Sequence, residues 1–197
     1  MSDQFQYVMV LTSIIIGLGI TNALLGLSSA IDRFTESGRP LRLSWASGVW
    51  LAFTFLWMVL FWWWEFRLLE ILKHWTLWNY FLIICYAVVL FLLVALLIPR
   101  DWDKVEDLNE YFLAKRRWFY SVLVLGLMID LMDSYMKGGW TYVRGTGILT
   151  WGENIAGILA AIIGFRSTNV RTHSMMAILF FLWEIFIGFE VSPLLQI

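Results

Sequence analysis

The chain has 197 residues, of which 60% are hydrophobic and only 15% charged, where soluble domains run near 25% charged. With a formal net charge of −1, these proportions exclude an ordinary soluble domain, a disordered chain and a nucleic-acid binder. A single cysteine, Cys85, excludes an intrachain disulfide and a cysteine metal cluster.

Six apolar segments follow in chain order: Tyr7–Ala30, Leu43–Trp64, Leu77–Ile98, Trp118–Met136, Thr146–Phe165 and Met175–Leu195. Each is long enough to carry an α-helix across about 30 Å of hydrocarbon. Barrel strands alternate polar and apolar residues over about ten positions, and these runs do not. The predicted fold is all-α, a polytopic transmembrane helix bundle of six spans forming one domain over residues 1–197. The remaining residues are too few for a folded domain outside the bilayer. The opening Met1-Ser2-Asp3-Gln4-Phe5-Gln6 has no basic residue and no small-residue cleavage site follows, so the first segment reads as a retained span.

Lysine and arginine set the expected orientation. The first, third and fifth connections hold ten (Arg33, Arg39, Arg42; Arg100, Lys104, Lys115, Arg116, Arg117; Arg166, Arg171). The second and fourth hold four, Arg67, Lys73, Lys137 and Arg144. The odd connections are therefore expected in the cytoplasm and both termini outside.

The third connection is expected to hold a short amphipathic surface helix between spans 3 and 4. Trp102, Val105, Leu108 and Phe112 recur at helical spacing, and Asp103 with Glu106 has the form of a capping box. A solvated connector is the plainer alternative. Lys115-Arg116-Arg117-Trp118 fits an interfacial anchor. Trp62, Trp63, Trp64, Trp75 and Trp78 fit an outer aromatic belt, with Glu65–His74 extending the second span beyond the membrane.

At 100° per residue, Thr12, Gly19, Ala23, Gly26 and Ala30 share one face of the first span. This is a small-residue seam of the kind that lets helix backbones approach closely, and packing alone explains it. Thr146, Thr150, Glu153, Gly157, Ala160 and Gly164 form a second seam, with the glutamate inside it. In the sixth span Glu184 shares a face with Ala177 and Gly188. In the fourth, Asp130, Asp133, Ser134 and Lys137 oppose Met128, Met132 and Met136. Those thioethers have the spacing of a copper(I) site, but they face away from the acids, so packing or lipid contact is the simpler account.

The signal above this background is a segregation of sign. None of the Lys and Arg residues falls inside a span, whereas Asp130, Asp133, Glu153, Glu184 and Glu190 do. A carboxylate at a helix centre costs about 2.5–3.5 kcal/mol on insertion scales. Asp130, Asp133, Glu153 and Glu184 are therefore the candidate ion- or ligand-binding residues, in one pocket opening outward. Local pairing with Lys137, Arg144, Arg67, Lys73 and His74 is the bland alternative for Asp133 and Glu190. No basic residue lies at the depth of Glu184.

Signatures of catalysis are missing. The sequence has no HExxH, GxSxG or GxGD, no lysine in a span for a retinal Schiff base, and His74 and His173 fall on opposite sides. No cofactor is expected, the metal question stays open, and a membrane-embedded carboxylate–metal enzyme is a remote alternative.

Phe5-Gln6-Tyr7-Val8 through Gly17-Leu18-Gly19-Ile20-Thr21, then Phe61-Trp62-Trp63-Trp64-Glu65, then Arg116-Arg117-Trp118-Phe119-Tyr120 occur in this order. The layout resembles a group of small bacterial multi-pass inner-membrane proteins with six helices. The resemblance implies a bacterial origin and the cytoplasmic (inner) membrane, with periplasmic termini, and carries over no activity and no site residues.

The expected function is a channel, carrier or binding protein for a proton, metal ion or organic cation. The expected partners are the lipid bilayer and further copies of the chain, packed through the seams at Gly19, Ala23, Gly26, Gly157 and Gly164. The alternative is a scaffold or sensor subunit that binds another membrane protein or lipid.

Overall fold

The computed structural model describes residues 3–35, 41–65, 68, 76–145 and 148–191. Arg39, Arg67, Lys73, His74, Trp75 and Thr146 fall outside the described residues, as do the side chain of Glu190 and the end of the sixth predicted span.

The described chain is helical. In order it forms α1 (Asp3–Thr35), α2 (Trp45–Glu65), α3 (Leu77–Leu97), a 3-10 turn (Trp102–Lys104), α4 (Leu108–Gly145), α5 (Ile148–Arg166) and α6 (Val170–Phe186). A π-helical turn, Ile187–Val191, continues α6. Five segments are long and apolar enough to cross a membrane: Gln6–Thr35, Trp45–Glu65, Leu77–Leu97, Leu108–Thr141 and Val170–Phe189. The fifth predicted span corresponds to α5, which is not among those five.

Helix ends follow local chemistry. Thr76 caps α3 by accepting from the Asn79 N–H at 3.3 Å, and Asn169 caps α6 by accepting from Arg171 at 3.0 Å. The third connection differs from expectation. Asp101 accepts from Asp103 N and starts only a 3-10 turn. Asp107 then accepts from Asn109 N at 2.7 Å and starts α4. The predicted surface helix is therefore a single turn, and its apolar residues Leu108 and Phe112 lie buried at the base of α4. They bury because Arg42 and Asp107 pair as an isolated parallel bridge, Arg42 N to Glu106 O at 2.9 Å and Leu108 N to Arg42 O at 3.0 Å. That bridge holds the third connection against the first.

α1 packs chiefly on α3, α3 on α4, α4 on α5, and α2 on α6 and α3. On α2, Trp50, Phe53, Thr54, Trp57, Met58 and Phe61 recur at helical spacing and are all buried. Around Trp50 stand Phe53, Phe119, Tyr120 and Phe180, with ring centroids 4.9–5.9 Å away.

The seams pack inside the chain. A Cβ at Gly19 would stand 2.8 Å from the Met58 sulfur, and one at Gly157 would stand 3.0 Å from Leu127. At Gly26 a Cβ would overlap Ile98, at Gly164 the Tyr120 ring, and Ala23 is buried. Their close approaches are spent on the chain's own helices, which corrects the expectation that they face a second copy. Met128 and Met132 are exposed on the bundle's outer face.

Candidate functional site

α4 carries the polar face that builds the site. Asp130, Asp133 and Lys137 lie three and four residues apart and so project to one side. That side meets α2, α3, α5 and α6, each of which contributes polar groups.

Nearest the Gly138–Gly139 end of this face is a buried ion triad. Lys137 Nζ donates to Glu65 Oε1 of α2 at 3.0 Å and pairs with Asp133 Oδ2 on its own helix. All three residues are enclosed, with relative exposures of 6% for Lys137, 1% for Glu65 and 3% for Asp133. One lysine faces two carboxylates here, so the triad is short of one positive charge. The local pairing of Asp133 with Lys137 that the sequence allowed is thus present, and Glu65 joins it from α2. Met136 looked like the end of the span, but α4 runs on and carries Lys137 into the core.

The helix breaks immediately afterwards. Gly138 is extended (φ −174°) and Gly139 is left-handed (φ +61°), a conformation that favours glycine. The break ends the straight run of α4 one residue beyond the lysine.

One turn deeper lies Asp130, half-buried and fully engaged. Tyr86 OH of α3 donates to Oδ1 at 2.5 Å, and Asn154 Nδ2 of α5 donates to Oδ2 at 2.8 Å. Tyr86 OH in turn accepts from Trp57 Nε1 at 3.0 Å. The two donors hold Asp130 in place without neutralising it.

Glu153 and Glu184 complete the cluster. Both lie within electrostatic reach of Asp130, and Glu184 also of Glu153. Glu153 is half-buried beside the Trp183 indole. Glu184 is 4% exposed, and its Oε1 has no hydrogen-bond partner. Neither do Glu65 Oε2 and Asp133 Oδ1. Buried acceptors are nearly always satisfied, so three bare carboxylate oxygens in one cluster are unusual.

All four candidates, Asp130, Asp133, Glu153 and Glu184, thus belong to one connected polar region. Lys137 joins them as the local partner the sequence offered for Asp133, and Glu65, Tyr86 and Asn154 join without having been singled out. Glu65 was legible in principle, because it continues the buried spacing of Trp50, Thr54, Trp57 and Phe61 on α2. Asn154 sits beside Glu153 in sequence, and Tyr86 had no signal beyond being a polar ring in an apolar run. Among the described residues, no three His, Cys, Asp or Glu side chains come close enough together to hold a metal ion.

A second buried polar site lies toward the opposite end of α4. His173 Nε2 donates to the Ser167 carbonyl at 3.2 Å, because a carbonyl only accepts. Its Nδ1 then accepts from Tyr120 OH at 2.8 Å, and the two rings stack. This histidine is fully satisfied.

No protein-family model, curated protein or solved structure matches the chain, so the reading of the site rests on its own residues.

Proposed function

We propose that the protein is an integral membrane channel or carrier that binds a cation at Asp130, Glu153 and Glu184. The observation that carries this reading is Glu184, an enclosed carboxylate with a bare oxygen next to two further acids. Carboxylates without a local base attract cations and repel anions. The proton is the favoured cargo. One enclosed carboxylate binds a proton, whereas a hard metal ion takes about six or more oxygen ligands, and no trio of ligating side chains stands ready among the described residues.

In this reading the protein sits in a bacterial inner membrane with both termini periplasmic, supported by the basic odd-numbered connections and by the resemblance in layout. The acid cluster then lies in the outer half of the bilayer. A second copy would meet the outward face of α1, where Tyr7, Val10, Ile14 and Leu18 are exposed and Gly17 has open space beside it. The same face supports the alternative of a scaffold that binds another membrane protein.

Proteoliposomes test the leading reading. Wild-type protein is expected to carry protons down an imposed potential, and Glu184→Gln and Glu153→Gln to reduce that flux at least tenfold. Flux equal to wild type in both variants overturns it. A stoichiometric hetero-partner retained in mild detergent and lost on Gly17→Trp would favour the scaffold.

A further inference from the structure

The triad at Glu65, Asp133 and Lys137 carries its own inference, whether or not Asp130, Glu153 and Glu184 conduct a cation. We infer that Glu65 and Asp133 share one bound proton, so that Lys137 closes a neutral three-group clamp between α2 and α4.

Three observations lead there. First, both carboxyl groups converge on one nitrogen: Lys137 Nζ holds Glu65 Oε1 at 3.0 Å and Asp133 Oδ2 in direct contact. The two carboxyl groups also lie within electrostatic reach of each other. Second, each has one oxygen left over, Glu65 Oε2 and Asp133 Oδ1, and both are buried without a donor. Two carboxylates gathered on one ammonium repel, and one proton turns one of them into an O–H donor that the other can accept. Third, the charges do not balance without it. One ammonium against two carboxylates leaves a net negative charge in a site at most 6% exposed, and burying uncompensated charge is costly.

The surroundings offer no other compensation among the described residues. On α4 the next charged group inward is Asp130, which adds negative charge. From α3 Tyr86 presents a hydroxyl that is already donated to Asp130. From α6 and α5 come Glu184 and Glu153, again acids. The proton, taken from water, supplies the missing positive charge.

The place of the clamp gives it a role. Lys137 is the last residue before the Gly138–Gly139 break, and a Cβ at Gly139 would meet nothing within 4 Å. The helix axis therefore breaks directly at the clamp. With the proton bound, the clamp is neutral and closed. Loss of the proton restores the repulsion between Glu65 and Asp133 and loosens α2 from α4, so the pair acts as a proton-operated latch on this end of the bundle.

Infrared spectroscopy of the full chain in detergent at neutral pH tests the proton. The wild type is expected to show a protonated-carboxyl C=O band that shifts in heavy water. Glu65→Gln and Asp133→Asn should each remove that same band, because the carboxylate left behind forms a one-to-one ion pair with Lys137. Glu184→Gln should leave it in place, which separates this result from the flux experiment. If neither single variant removes a protonated-carboxyl band, both groups are ionised and the inference is overturned.

Thermal unfolding gives an independent readout. Both single variants should melt within a few degrees of wild type, whereas Glu65→Gln/Asp133→Asn together should fall as far as Lys137→Met. Equal destabilisation by each single variant and by Lys137→Met would mean that both negative charges are required, and would overturn the shared proton.

Discussion

The two ends of α4 bury polar groups in different ways. Near its start, Tyr120 and His173 form a closed set in which both imidazole nitrogens have partners. Near the glycine break, Glu65, Asp133 and Glu184 each keep a buried oxygen with none. The first arrangement is complete with the chain alone, so it serves packing. The second is short of positive charge and of donors, and in the proposed reading a proton or another cation fills that deficit. Burial of a titratable group does not by itself distinguish the two ends; the unfilled acceptor capacity of the acids does.

Breaking each end should reveal the difference. Lys137→Met is expected to have the largest effect, a loss of about 3–5 kcal/mol, because it strips two enclosed carboxyl groups of their only ammonium. Unfolding in detergent measures it, and a loss below that of the tyrosine variant would invert the contrast between the two ends.

Tyr120→Phe should cost less, about 1–3 kcal/mol, since it leaves only the neutral Nδ1 of His173 without a donor. It should leave proton flux at wild-type level. A flux defect as large as that of Glu184→Gln would show that the satisfied site takes part in conduction after all.

The smallest effect is expected at an exposed pair outside the spans. The Lys104 ammonium hydrogen-bonds Asp101 and holds its carboxyl below the usual aspartate value. A carboxylate depressed in the folded state contributes stability above its unfolded pKa, and loses it as pH falls through the folded value. Both groups are exposed to solvent, so Lys104→Ala should shift the Asp101 titration upward by NMR while leaving the melting curve unchanged.

Much of the fold was legible because apolar runs of span length have few alternatives. The polar face of α4 was legible too, since Asp130 and Asp133 stand in an otherwise apolar helix. What misled was the treatment of span ends as boundaries. Lys137 follows the last apolar residue of its run and reads as a loop base able to pair locally with Asp133, and Glu65 follows three tryptophans and reads as the start of an extension beyond the membrane. Each instead continues the buried face of its helix by one turn. The small-residue seams were read correctly as close-approach surfaces, but spacing on one helix says nothing of which helix approaches. Gly19 meets Met58 and Phe91, and Gly164 meets Tyr120, all within the chain.

The sequence by itself determined a helical, apolar chain with basic odd-numbered connections and with Asp130, Asp133, Glu153 and Glu184 set inside apolar runs of its second half. Hydrophobic length, period and composition are local properties, so they survive without a partner helix. Only the tertiary structure decided which acids are neutralised. Lys137 is bound to Glu65 across 72 positions of chain, and Tyr86 and Asn154 reach Asp130 from two other helices. Compensation of charge depends on distance in space. Helix packing sets that distance, and it leaves Glu184 with an oxygen that no residue of the described chain fills.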